Sequence, residues 1–319
     1  MNSRGLGRAI RDAAKSFRYF FLRLFLDRKA LFSILLVELA CLAFCLILAS
    51  SFGSSLSAHQ SRFDSMGEEE YASYCLSALS KAGPGSLEGS FFGLIAGTGI
   101  RPKDYFVYTG ENYLDAFRIE NSDAYQVICF APAISVPPIY LLCYSLLGSP
   151  EARKAQKNAA ESRIGARMFT LGGIALYFAL ALLVICLTML PAAAFKVPAR
   201  CLLLGEGGYF FLPSSRIFAF KAADSLLLGL MLSSLCLFAC WLFHNPMDSL
   251  VFGFACCLLL SSGLLVASIF DLGSGQSWTS FIPGFGKGFE AVPMAFKAII
   301  GLAGSAALSA WPIARPRRA

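Results

Sequence analysis

Residues 149–167 read SPEARKAQKNAAESRIGAR, a polar island between two apolar runs, Val127–Leu147 and Met168–Phe195. Nothing so basic separates any other two neighbouring apolar runs. The island opens as a helix does: Ser149 suits the cap, Pro150 the first helical position, and Glu151 the positive end of the helix dipole. A short basic helix held between two membrane spans cannot move without moving both. The island is expected to be a cytoplasmic docking element through which another protein drives the spans.

The flanking runs agree with the bulk composition. Of the 319 residues, 56% are hydrophobic and 15% charged, with mean hydropathy +0.63. Soluble domains hold about 45–50% apolar and about 25% charged residues. Several charge-poor runs of about 20 residues make the chain a polytopic, all-α membrane protein. The net charge of +7 then reflects Lys and Arg held on the cytoplasmic side, not a nucleic-acid partner.

N-terminal to the island, span 2 (127–147) contains Pro132, Pro137 and Pro138, so a broken or kinked helix is expected, its freed carbonyls satisfied by neighbours. Before it, residues 53–126 carry ten acidic and five basic residues, including Glu68, Glu69 and Glu70. They are expected to form a small extracytoplasmic loop domain. Its apolar stretch Phe91–Ala96 is too short to span and either rests on the membrane or packs under the loop. Span 1 is placed at 30–52. Residues 1–29 carry eight Lys or Arg, and Ile10, Ala13, Ala14, Phe17, Phe20, Phe21, Leu24 and Phe25 recur at three- and four-residue steps. That is one apolar helix face, so an interfacial amphipathic helix on the lipid bilayer is expected.

C-terminal to the island come span 3 (168–195), an extracytoplasmic loop (196–224) and spans 4 and 5 (225–243 and 250–270). A Gly-rich loop or re-entrant segment (271–290), span 6 (291–311) and a basic cytoplasmic tail (312–319) follow. Six spans put both termini on one side. The N-terminus, the 148–167 island and the C-terminal tail carry eight, five and three basic residues, against five, four and one in the longer loops opposite. That density places both termini in the cytoplasm of a cell-membrane protein.

Two polar groups fall inside spans. Glu38 lies about a third of the way across span 1, where an ionised carboxylate costs about 2.5–3.5 kcal/mol. Lys297 in span 6 is the intramembrane cation available to pair with it, though the expected depths differ by about 10 Å. The alternative, that each snorkels or faces a polar seam, stays open. Gly301, Ser305 and Ser309 repeat at four-residue steps, a small-residue face for helix packing within the subunit or at a dimer seam.

The search for chemistry returns little. The 11 cysteines lie mostly inside apolar runs, with Cys75 and Cys201 in loops where a bridge is one option. No metal-like Cys/His cluster exists. His59 and His244 fit no catalytic pattern. Gly286-Lys287 imitates the end of a phosphate loop, but Phe281 stands in place of the first Gly and Gly288 in place of Ser/Thr. No catalytic, cofactor or metal site is expected in this chain, so energy must come from a partner.

Glu151, then Lys157-Asn158, then Ser162-Arg163, set between spans 2 and 3 of six, resemble the coupling segment of permease subunits of type-2 ATP-binding-cassette (ABC) exporters. Such segments have the form K-N-x-x-S-x-x-x-S-R after an acidic residue. This chain departs from the pattern at Ala155-Gln156, where Gly-Thr is usual, and at Thr170, near where a Lys opens span 3. The topological resemblance covers nearly the whole chain and the sequence resemblance about 20 residues. It implies a homo- or heterodimeric permease exporting an amphipathic or hydrophobic substrate, with ATP and Mg²⁺ held by a separate ATPase. The docking residues would be Glu151, Arg153, Lys154, Lys157, Asn158, Ser162 and Arg163. The competing expectation is a membrane sensor or assembly factor with an acidic external domain; an intramembrane enzyme is a weaker third.

Overall fold

The computed structural model describes residues 3–82, 87–99, 101, 105–108, 122–161, 166–205, 208–243, 245, 247–253, 255 and 302–311. Four helical stretches are long and apolar enough to cross a membrane: Arg28–Ile47, Asp123–Ala155, Arg167–Ala194 and Ser214–Leu242. They mark a multi-pass membrane protein. The expected fifth and sixth spans fall largely outside the described residues, with 247–253 and 302–311 helical.

The first helix, α1, runs Ser3–Leu26, and α2 runs Arg28–Ser65. Only Asp27 separates them. Its carboxylate accepts from Ala30 N at 3.1 Å and so starts the second helix while the first ends. The α2 helix does not stop with its apolar run at residue 52, as expected, but continues through polar sequence to Ser65. In its membrane part Phe32, Leu35, Leu36, Leu39 and Phe44 are exposed, whereas Ile34, Glu38 and Cys45 are buried. Those buried positions follow helical spacing, so one stripe of α2 faces protein and the rest suits lipid.

The expected loop domain is mostly helical. Helices α3 (Glu68–Ala82) and α4 (Leu87–Thr98) pack on the end of α2 through Phe63, Tyr71, Cys75, Phe92 and Ile95. Phe92 and Ile95 thus settle the Phe91–Ala96 stretch as packing beneath this unit. Arg101 closes it: its guanidinium donates to Phe63 O (2.8 Å), Asp64 O (3.2 Å) and Met66 O (2.9 Å). A cation on the last carbonyls of a helix satisfies their lone pairs and meets the negative end of the dipole. The same guanidinium lies 5.2 Å from the centre of the Tyr71 ring.

One three-stranded sheet departs from the all-α expectation. Strand β1 (Tyr105–Tyr108) pairs in parallel with β2 (Arg200–Gly205), and β2 pairs antiparallel with β3 (Gly208–Pro213). The sheet joins the two loops that the sequence pattern places on one side. Cys75 and Cys201 are both buried free thiols, so the bridge between them does not form.

The second span is broken as its prolines require. Helix α5 (Asp123–Ile134) ends at Ser135; α6 (Val136–Cys143) follows, then a π-helical turn at Tyr144–Gly148. Pro132 has no N–H for Ile128 O, and Ser225 Oγ donates to that carbonyl instead, at 2.8 Å. Helix α7 (Pro150–Glu161) carries the polar island, α8 (Ala166–Met189) continues as a 3₁₀ turn to Ala194, and α9 runs Ser214–Leu242. The last begins well before the expected Ser225. Ile139, Leu146, Tyr177, Ile185, Leu232 and Cys236 form the buried centre shared by α6, the π-helical turn, α8 and α9. Tyr177 brings its hydroxyl into that centre by donating to Ser233 O at 2.7 Å.

Candidate functional site

Helix α7 starts where its sequence directs. Ser149 Oγ accepts from Ala152 N at 3.3 Å and Ser149 O from Arg153 N at 3.0 Å. One face is anchored: Ala152 is fully buried and Ala155 rests against the common core. The other is open, with Glu151, Lys154, Lys157 and Asn158 exposed and Arg153 half-buried. The island therefore combines a charged outer surface with an apolar seat on the helices that bracket it. Ser162 and Arg163 lie outside the described residues.

The seat has a second tie. Arg23, in the last turn of α1, donates from Nη2 to Ser149 Oγ at 2.8 Å, and the same nitrogen lies 3.5 Å from Glu151 Oε2. Arg23 is mostly covered, whereas the Glu151 side chain is 77% exposed, so the hydrogen bond to the capping serine is the stronger link. Ser149 thus serves both helices: it caps α7 and receives α1.

The path of α1 explains how Arg23 arrives there. The apolar face expected from its sequence is divided. Phe20 and Leu24, with Ser16, are buried, while Ile10, Phe17, Phe21 and Phe25 are exposed. The buried ridge crosses α8 at Gly172-Gly173. A Cβ on Gly172 would come within 2.7 Å of Ala13 O and 2.9 Å of Phe17 N; one on Gly173 would come within 2.8 Å of Phe20 Cε2. Two adjacent glycines let the backbones approach, and Phe20 stacks on Phe169 with ring centres 4.7 Å apart.

Inside the bundle, Glu38 is 5% exposed. Its Oε1 accepts from Thr188 Oγ1 at 2.9 Å, and Thr188 Oγ1 lies 2.8 Å from Ser135 Oγ. Three elements meet there: α2, the α5–α6 break and the end of α8. Glu38 thus faces two hydroxyls; the Lys297 pairing falls on a residue outside the described set. In the 302–311 helix Ser305 is buried and Ser309 half-buried, while Gly301 lies outside the described residues. Among the described residues no group of three His, Cys, Asp or Glu could hold a metal ion.

Arg23, Ser135, Thr188 and the Gly172-Gly173 notch were not singled out by sequence. Arg23 follows Phe20 by three residues on the same buried face, and Ser135 stands between the prolines of span 2. Those were their available signals. Thr188 gives none, being a lone hydroxyl in an apolar run. Comparison with family models, with curated proteins and with solved structures found no match.

Proposed function

We propose that the chain is the membrane-spanning permease subunit of an ABC exporter, moving an amphipathic or hydrophobic substrate with ATP hydrolysed by a separate subunit. The observation that carries this reading is the two-faced α7. Lys154, Lys157 and Asn158 are open for a partner, while Ala152 and the Arg23–Ser149 bond tie the same helix to α1 and the bundle. A push on such a helix is transmitted to α6 and α8 directly and to α1 through Ser149. In this reading the chain makes six spans with cytoplasmic termini, pairs with a second permease subunit, and binds neither ATP nor metal itself. Affinity capture of the tagged full chain should recover an ATPase, and charge reversal at Arg153, Lys154 and Lys157 should abolish that recovery. Capture without any ATPase, together with a phenotype unchanged by the reversals, would refute the transport reading.

The helical unit of α3 and α4, with its own small core, favours a second reading as a membrane sensor or assembly factor. Deleting residues 68–98 separates them. A sensor loses its response while a captured ATPase is retained only by a permease.

A further inference from the structure

The cluster around Glu38 has more acceptors than protons. Thr188 carries one hydroxyl hydrogen and has two acceptors in reach, Glu38 Oε1 at 2.9 Å and Val184 O at 3.0 Å. Ser135 likewise faces Thr188 Oγ1 at 2.8 Å and Ala131 O at 2.7 Å. When Ser135 donates to Thr188 and Thr188 to Glu38, the carboxylate receives one hydrogen bond. It has room for about four. Its Oε2 is buried and has no hydrogen-bond partner among the described residues.

Among the described residues the surroundings add oxygen and no positive charge. Pro137 and Pro138 lack the N–H groups that would bond Ala133 O and Ile134 O in a continuous helix, and the Ser135 N–H turns to Ala131 O and Ala133 O. Lys29, the nearest cation preceding Glu38 on α2, stands about 14 Å away along the helix axis. The titratable side chains on the packed elements α5, α6 and α8 are Asp123, Tyr125 and Cys129, Tyr140 and Cys143, and Arg167, Tyr177 and Cys186; Asp123 and Arg167 stand at the starts of α5 and α8, 12 and 21 residues from Ser135 and Thr188. Among the described residues no Lys, Arg or His side chain is hydrogen-bonded or ion-paired to Glu38. Glu38 lies within the apolar stretch Arg28–Ile47.

We propose that Glu38 is the binding site for a neutralising monovalent cation, a proton or a dehydrated sodium ion taken up on Oε2. Oxygen-only donors from a carboxylate and two hydroxyls suit a hard monovalent ion. Uptake converts a bare carboxylate into a neutral acid or a neutral ion pair. The inference does not depend on which partner drives the spans, and it is tested on the purified full chain alone.

The probe is a hydrophobic carbodiimide, which adds to protonated carboxyl groups in apolar surroundings and leaves a mass tag on the residue. In choline buffer Glu38 should be tagged, with labelling falling as pH rises. Sodium at fixed pH should suppress the tag several-fold if it shares the site; a proton-only site leaves labelling unchanged by sodium. Glu38→Gln keeps an acceptor for Thr188 and should lose the tag and the cation-dependent shift in melting temperature. Thr188→Val should keep the tag with an altered pH midpoint, which covers the case that Glu38→Gln does not fold. Absence of any tag on Glu38, with wild-type melting indifferent to pH and sodium, overturns the proposal. That is also the outcome if Lys297 neutralises the carboxylate.

Discussion

Arg23 Nη2 donates to Ser149 Oγ at 2.8 Å across 126 residues of sequence, joining the last turn of the N-terminal helix to the first turn of the polar island. Ser149 Oγ already accepts from Ala152 N, so one hydroxyl oxygen holds two helices in register. Replacing Arg23 by Ala should cost about 1.5–3 kcal/mol, the range for a hydrogen bond to a charged group. Glu151→Ala removes only an exposed ion pair and should change stability by about 0–1 kcal/mol. Melting of the detergent-purified protein distinguishes them. Equal effects would place the weight on the ion pair instead.

The glycine notch gives a packing test. Gly172→Ala puts a Cβ against the backbone of α1, where nothing short of helix displacement relieves it. A loss of about 1–3 kcal/mol is expected. The control is Gly7→Ala, with nothing within 4 Å, which should stabilise α1 by about 0.5–1 kcal/mol. Labelling of a cysteine at Ser16, buried in the intact contact, reports whether α1 has lifted from α8.

Ser225→Ala should expose the cost of Pro132. It leaves Ile128 O without the donor that replaces the missing N–H, an orphaned acceptor worth about 1–3 kcal/mol. Combining it with Pro132→Ala, which restores the backbone donor, should recover much of that loss. Strictly additive effects would show that the two residues do not serve the same carbonyl.

Cys75 supplies a pH dependence. Burial pushes its thiol above the ordinary value of 9.0, a hydrogen bond with Tyr71 acting in the opposite sense. The folded unit therefore holds the thiol proton more tightly than the unfolded chain. Its contribution is fully present below about 9 and is lost as pH rises through the folded value. Protease resistance of the α3–α4 unit should fall in that alkaline range and fall less in Cys75→Ala. Both Cys75 and Cys201 should be recovered as free thiols after denaturation without reductant.

Much of this layout was legible in local chemistry. Ser149, Pro150 and Glu151 mark a helix start because capping, a missing N–H and the helix dipole act within one turn. Pro132, Pro137 and Pro138 mark a break for the same local reason. Helix ends inside mixed sequence were not legible. The α2 helix passes its last apolar run because residues 53–65 have no proline, and polar residues continue a helix once it is nucleated. Long-range partners were not legible either. Glu38 meets Thr188 across 150 positions, and β1 meets β2 between Tyr105 and Arg200, with no periodicity that links them. The single apolar face of α1 was read correctly in spacing but divided in use, since Gly172-Gly173 admits one ridge only.

We propose that the open face of α7 docks a nucleotide-hydrolysing partner on the cytoplasmic side. The most direct measurement is site-specific photo-crosslinking in intact cells from position 157 on the exposed face, with the buried position 152 as the control. An adduct with an ATPase subunit is expected from 157 and none from 152. No ATPase adduct, or labelling of position 157 by a membrane-impermeant reagent from outside, would contradict it.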